Sequence, residues 1–151
     1  MNELHITVEM EDWSDDAVSY ISNIREQCIQ EANRHDKAGY VTKNLNNYIS
    51  LPAILVPLIS APIQGTFKDD DWTPYFSMSA LVISSIFTGI NSFFNYGTKS
   101  QKHFNFSGRY GDMVTDIDEI LSKRVDKRQP SDVFIRTQKL RFDNLNLTAP
   151  K

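Results

Sequence analysis

The chain has a single cysteine, and it lacks the motifs of common catalytic and metal-binding sites. With Cys28 alone, neither an intramolecular disulfide nor a cysteine-based metal cluster can form. The sequence contains no HExxH, no glycine-rich phosphate-binding loop and no GxSxG. The three histidines, His5, His35 and His103, are not spaced as metal ligands. We therefore expect a non-enzymatic protein without a metal or cofactor.

The middle of the chain lacks charged side chains over two long stretches. Tyr48 to Phe67 and Trp72 to Thr98 contain no Asp, Glu, Lys, Arg or His, and only Lys68 to Asp71 separate them. A helix of about 20 apolar residues spans the hydrocarbon core of a bilayer. The sequence therefore predicts a transmembrane helical hairpin with spans at about 48–67 and 72–98, and the lipid bilayer as its partner.

Charge is concentrated in the two flanks of this hairpin. The net charge of −3 is too small to indicate binding to nucleic acid. Residues 1–20 are acidic and lack the apolar core of a secretory signal peptide. Basic residues lie close to both outer ends of the hairpin, whereas its short connection holds Lys68 and three aspartates. Because basic residues favour the cytoplasmic side, we expect both termini on the cytoplasmic-equivalent side.

Both flanks carry apolar residues at helical spacing. We expect an amphipathic helix from about 15 to 47, capped by Ser14, and C-terminal helices at about 99–123 and 131–147. Their apolar positions are Ile21, Ile24, Cys28, Ala38, Leu45 and Ile49, then Phe106, Tyr110, Met113, Ile117 and Ile120, then Phe134, Ile135, Leu140, Phe142 and Leu145. The prediction is an all-α fold in which the long N-terminal helix pairs with the C-terminal helices on one side of the membrane.

Two segments depart from this helical pattern. Residues 1–13 alternate apolar and polar side chains, which predicts an extended arm preceding one two-span domain over 14–151. The first predicted span contains Pro52, Pro57 and Pro62. A membrane helix tolerates prolines if neighbouring groups bond the carbonyls that they leave free. We therefore expect a kinked first span.

Small and polar residues recur along the second span and form the candidate functional surface. Small residues at intervals of four let another helix approach closely in lipid. The predicted packing or pore-lining face consists of Ala80, Ser84, Thr88, Gly89, Asn91 and Ser92. Outside the membrane, His35 and His103 are a candidate contact between helices, either a proton-sensitive contact or two structural histidines.

The order of certain residues resembles the SLATT-type two-span membrane proteins, especially the variants encoded by large DNA viruses. The resemblance covers roughly residues 20 to 151. It rests on Cys28, Glu31-Ala32, His35, Ala38-Gly39, Leu45, Pro52, the two spans, His103, Tyr110, Ile117, Leu121 and Ala149-Pro150. The three prolines of the first span depart from the family pattern.

The resemblance implies two different roles. Bacterial SLATT proteins are regarded as pore-forming effectors that work beside a sensor domain, and this sequence has no such domain. A virus-encoded relative is expected to be a structural component, a minor capsid or inner-membrane protein that links the virion membrane to capsid proteins. An oligomeric pore is the alternative, with a homo-oligomer as the partner. A third possibility is a soluble helical bundle that covers the apolar segments with its own helices.

Overall fold

The computed structural model describes residues 13–150, and most of these are helical, with no strand among them. Four α-helices follow one another: α1 Asp15–Thr66, α2 Thr73–Phe94, α3 Tyr96–Ser122 and α4 Ser131–Thr148. A 3-10 turn, Val125–Lys127, lies between α3 and α4. The predicted all-α fold class is confirmed. The predicted arm at 1–13 lies outside the described residues, apart from Trp13.

The predicted amphipathic helix and the predicted first span form one continuous helix, α1. Its start is as predicted, because the Ala17 backbone N–H donates to the Ser14 hydroxyl at 3.2 Å. Asp15 and Asp16 occupy the first turn, where the helix dipole favours negative charge. The helix continues through all three prolines to Thr66.

A single residue, Asn95, separates α2 from α3. The second span was predicted to run to 98, but α2 ends at Phe94 because Asn95 adopts a left-handed conformation with φ 48° and ψ 48°. The Asn95 N–H still bonds to the Asn91 carbonyl, and the Lys99 N–H bonds to the Asn95 carbonyl. Asparagine tolerates this conformation better than most residues do. These two hydrogen bonds connect α2 and α3 through the break.

The chain divides into two compact units. The first, the three-helix unit, comprises the described residues 13–36 and 104–150, and the second, the hairpin unit, comprises 37–103. The start of α1, most of α3 and α4 build the core of the three-helix unit. This core consists of Ile21, Ile24, Cys28, Tyr110, Met113, Ile117, Phe134 and Leu145.

Polar contacts on the surface of the three-helix unit join its helices. The Arg25 guanidinium on α1 bonds both carboxylate oxygens of Asp118 on α3, and Arg141 on α4 bonds Asp116 on α3. The Trp13 indole N–H donates to the Gln129 carbonyl at 3.0 Å. These contacts fix the helices that the apolar core has brought together.

The predicted apolar stripes are correct in part. Of the predicted positions, Leu140 is 59% exposed and Leu45 is 42% exposed, whereas Gln138 is buried. With 3.6 residues per turn, Leu140 lies on the opposite side of α4 from Phe134 and Gln138. The buried side of α4 therefore carries a polar residue, and the exposed side carries an apolar one.

Candidate functional site

The hairpin unit contains two helical segments that are long and apolar enough to cross a membrane. One is the part of α1 from Tyr48 onward, which carries no charge, and the other is α2. At 1.5 Å per residue, the 22 residues of α2 extend about 33 Å, close to the thickness of a bilayer hydrocarbon core. The structure therefore contains two helical segments with the length and the apolar composition that were predicted for the hairpin.

The apolar side chains of these segments lie on the surface. In the most apolar window of each helix, only 6% of the residues are buried. Leu58 on α1 is 65% exposed, and Leu81 on α2 is 60% exposed. Other large exposed side chains are Leu51, Ile54, Leu55, Ile59, Met78, Val82, Ile83, Ile86 and Phe93. Within residues 13–150, the protein supplies no cover for this surface, so the soluble-bundle alternative lacks the core that it requires.

The inside of the hairpin unit has the opposite character. Every buried residue of the unit is small or carries a hydroxyl group. These residues are Gly39, Ser60, Thr73, Ala80 and Ser100. The half-buried positions between them include Asn46, Ser50, Ala53, Ser84 and Asn91, together with the larger Ile49, Val56 and Phe87. Small side chains let two helices approach closely, which is the packing mode that lipid favours.

A hydrogen bond across the hairpin compensates for a proline. A proline has no N–H to donate to the carbonyl four residues earlier, so Pro57 leaves the Ala53 carbonyl without its helical partner. The Ser84 hydroxyl on α2 donates to this carbonyl at 2.9 Å. This is the kind of compensation that proline requires in a membrane helix. It also gives Ser84 a specific role in holding α2 against α1.

Two further hydrogen bonds join the helices of the hairpin unit. The Asn91 amide donates to the Ser50 hydroxyl at 3.0 Å, and the Ser100 hydroxyl donates to the Gly39 carbonyl at 2.9 Å. From Ser84 through Asn91 to Ser100, the partners on α1 fall from Ala53 through Ser50 to Gly39. This order is the one expected for antiparallel neighbours. In a medium without water, such bonds contribute roughly 0.6–2 kcal/mol each.

Aromatic side chains cluster at both ends of the charge-free segments. At the connection, the rings of Phe67 and Trp72 are 5.8 Å apart, and the Thr73 hydroxyl bonds the Phe67 carbonyl. At the other end, Phe94 stacks on Tyr96 with centroids 5.3 Å apart. Tyrosine and tryptophan concentrate at the two interfaces of a bilayer. The spacing of these clusters matches that distribution.

The predicted packing or pore-lining residues lie on two faces of α2. Ala80, Ser84 and Asn91 are buried or half-buried against α1, whereas Thr88, Gly89 and Ser92 are exposed. A side chain added at Gly89 would meet nothing within 4 Å. The first face closes the hairpin internally, and the second is a small, hydroxyl-bearing strip on the outer surface.

The predicted contact between histidines involves residues of different units. His35 is buried in the three-helix unit, where its ring stacks on Tyr110 at 5.8 Å and lies 5.8 Å from Phe106. His103 is the last residue of the hairpin unit and is half-buried. Their mutual contact stays a prediction. Sequence reasoning missed the stacking of His35 on Tyr110, although Tyr110 belongs to a predicted stripe and His35 lies on the helix that was expected to pair with it.

Burial raises the pKa of two titratable groups inside the three-helix unit, Cys28 and Tyr110. Burial raises the pKa of the Cys28 thiol to about 11, so this cysteine is a poor nucleophile. Burial also raises the pKa of Tyr110 to about 12, and its hydroxyl donates to Asn146 at 2.6 Å. On the surface, the hydrogen bond from Arg25 lowers the pKa of Asp118. These shifts have structural causes, because each group already has a packing or pairing partner.

A groove of about 520 Å³ lies on the three-helix unit. Its polar lining includes Glu31, Arg34, His35, Tyr110 and Asn146. Arg34 pairs with Glu31 at 3.3 Å, and Tyr110 with Asn146, so these groups are directed at one another. Among the described residues, no group of three or more His, Cys, Asp or Glu side chains could hold a metal ion.

No protein-family model, curated protein or solved structure matches the chain.

Proposed function

We propose that the protein is a non-enzymatic integral membrane protein, which inserts the hairpin unit into a bilayer and keeps the charged three-helix unit in water. The observation that carries this proposal is the reversed distribution of side chains in the hairpin unit. The residues that it buries fully are all small or hydroxyl-bearing, whereas most of its leucine and isoleucine side chains are exposed. Hydrocarbon is the medium in which that distribution is stable.

In this proposal, both termini lie on the cytoplasmic-equivalent side. The outer ends of the hairpin carry lysines, and the connection carries Asp69, Asp70 and Asp71 beside a single lysine. Moving three carboxylates across the membrane fixes the connection on the far side once it has inserted. The continuous α1 helix then leads from the bilayer into the three-helix unit.

Reconstitution into vesicles tests the insertion. Purified full-length protein is expected to float with phosphatidylcholine vesicles after washing in high salt and urea. Protease added outside should cleave both flanks or neither in any one vesicle, because the two flanks share a side. Protein that washes off would contradict insertion, and cleavage of one flank alone would contradict the hairpin topology.

The role of the inserted protein is proposed to be structural, as an anchor between a membrane and a protein assembly. Support comes from the three-helix unit, whose exposed side chains are mainly charged or polar and whose polar groove is internally paired. The resemblance to virus-encoded two-span proteins extends this proposal to a minor capsid or inner-membrane component of a large DNA virus. A constant copy number in purified particles is the expected result. Restriction to infected-cell membranes would contradict it.

An oligomeric pore is the second candidate, and the exposed strip of α2 favours it. Thr88, Gly89 and Ser92 are not used inside the hairpin and could face other copies around a lumen. Ion flux through the same vesicles separates the two roles. Flux that Thr88→Leu and Ser92→Leu abolish would establish the pore. Inserted protein without flux is the result expected for an anchor.

A further inference from the structure

Four lysines lie at the open end of the hairpin unit, opposite the connection. They are Lys37 and Lys43 on α1 and Lys99 and Lys102 on α3, and all four are exposed. The Ser100–Gly39 hydrogen bond joins the two helices in their midst. Because Lys37 and Lys43 flank Gly39 while Lys99 and Lys102 flank Ser100, the four ammonium groups share one end of the unit.

No carboxylate neutralises these lysines within the hairpin unit. Between residues 37 and 103, the only acidic side chains are Asp69, Asp70 and Asp71 of the connection. None of the four lysines takes part in an ion pair in the described part of the chain. The open end therefore carries four positive charges, whereas the connection carries three negative charges and one positive.

The lysines adjoin the aromatic ring cluster at the end of the charge-free segments. The Lys99 ammonium group lies 5.9 Å from the ring centroids of both Phe94 and Tyr96. Tyr48, the first residue of the other charge-free stretch, is 75% exposed. Aromatic side chains mark the depth of the headgroups in an inserted protein. The positive charges thus begin where lipid phosphates would lie.

We propose that Lys37, Lys43, Lys99 and Lys102 form a binding surface for the headgroups of anionic phospholipids. This inference rests on the proposed insertion of the hairpin. Each lysine near a membrane surface increases the association constant for anionic lipid by a factor of about five. The surface gives the inserted protein a preferred leaflet and a shell of negatively charged lipid around its open end.

Electron paramagnetic resonance of spin-labelled lipids tests the proposal. The full-length protein is reconstituted in phosphatidylcholine containing a trace of labelled phosphatidylglycerol or labelled phosphatidylcholine. The measured quantity is the ratio of the association constants of the two labelled lipids with the protein. For the natural sequence, we expect this ratio to favour phosphatidylglycerol about fivefold or more. The preference should decline in high salt, because these charges are exposed to solvent.

The matched variants change the same number of charges in two places. Replacing all four lysines with glutamine should bring the ratio close to one. The control replaces four exposed basic residues of the three-helix unit with glutamine and should keep the ratio of the natural sequence. These control positions are Arg124, Lys127, Arg136 and Lys139. If the fourfold variant does not reconstitute, the pairs Lys37→Gln/Lys43→Gln and Lys99→Gln/Lys102→Gln should each lose part of the preference.

The outcomes separate this inference from the proposed function. Protein that floats with the vesicles but retains both labelled lipids equally would overturn the lipid-binding surface and leave insertion intact. An unchanged preference in the lysine variants would also overturn it. Protein that does not float would contradict insertion itself, and with it the surface.

Discussion

The two units of this protein bury opposite kinds of side chain. The three-helix unit buries Ile21, Tyr110, Met113 and Ile117 completely and places its charged residues on the outside. The hairpin unit buries only small and hydroxyl-bearing residues and exposes its large apolar ones. The first distribution is the one that water imposes on a helical bundle. The second is stable where the surroundings are as apolar as the side chains.

This contrast has a common physical basis. In water, burying large apolar side chains drives helices together, at about 25 cal/mol per Å² of apolar area. In hydrocarbon that driving force vanishes, and helices associate through close packing and hydrogen bonds such as Ser84 to Ala53. Matched substitutions in the two units can test whether the three-helix unit is stabilised by apolar burial and the hairpin unit by close packing and hydrogen bonds.

The largest contrast is expected from truncating one large side chain in each unit. Ile117 is 0% exposed and Leu58 is 65% exposed. Ile117→Ala should cost about 2–5 kcal/mol of unfolding free energy, because it leaves a cavity in the three-helix core. Leu58→Ala should change the stability by less than about 0.5 kcal/mol, because lipid fills the space. Denaturant unfolding in vesicles measures both, and a large effect at Leu58 would show that protein covers it.

Replacing two similarly exposed leucines with lysine should give the next largest difference between the units. Leu81 is 60% exposed and Leu140 is 59% exposed. Leu81→Lys lies near the middle of α2 and should reduce membrane insertion by about 2.5–3.5 kcal/mol. Leu140→Lys lies on the three-helix unit and should have almost no effect on insertion or stability. The inserted fraction in a flotation assay measures the difference, and equal behaviour of the two variants would remove the distinction between the units.

Removing the Ser84 hydroxyl should have a smaller effect, which depends on Pro57. Ser84→Ala removes the hydroxyl that donates to the Ala53 carbonyl in place of the N–H that Pro57 lacks, and it should cost about 0.6–2 kcal/mol. In a Pro57→Ala background, the residue at position 57 supplies its own N–H to that carbonyl, so Ser84→Ala should cost much less. A double-mutant cycle of unfolding free energies measures this coupling. Additive effects would show that Ser84 does not compensate for the proline.

The smallest difference between the two units is expected in their response to alkaline pH, and it is absent at neutral pH. Burial raises the pKa of Cys28 from 9.0 to about 11 and that of Tyr110 from 10.0 to about 12. Because the folded state favours the neutral forms, their contribution to stability is complete below pH 9 and is lost as the pH rises through about 11 to 12. The hairpin unit has no such buried pair.

Circular dichroism between pH 8 and 12 measures this loss, together with the reaction rate of the Cys28 thiol. We expect thiol labelling to accelerate as the three-helix unit opens, while the protein stays in the vesicle fraction. Rapid labelling at pH 8 would contradict the burial of Cys28. Release from vesicles in the same pH range would contradict the independence of the hairpin from these groups.

Much of this architecture follows from the sequence, because charge and helical spacing are local signals. The absence of charge over 48–67 and 72–98 predicted the hairpin segments, and helical spacing predicted the burial of Ile21, Ile24, Tyr110 and Ile117. Asn95 carried a weaker signal, since asparagine is common at left-handed positions.

Other features depend on how helices align in three dimensions. That Ser84 meets the carbonyl freed by Pro57 depends on the register of α2 against α1, which the residues of either helix alone do not define. The burial of Gln138 and the exposure of Leu140 depend on the rotation of α4 about its axis. The six residues predicted as one face of α2 divide into two faces for the same reason.

The most direct test of the reversed hairpin is the accessibility of spin labels attached to its surface. In a Cys28→Ser background, single labels at positions 58 and 81 are compared with labels at positions 133 and 140 of the three-helix unit, in vesicles. Labels at 58 and 81 should collide with oxygen and be shielded from a water-soluble nickel complex, and labels at 133 and 140 should show the reverse. Equal nickel accessibility at all four positions would show that lipid does not cover the hairpin unit.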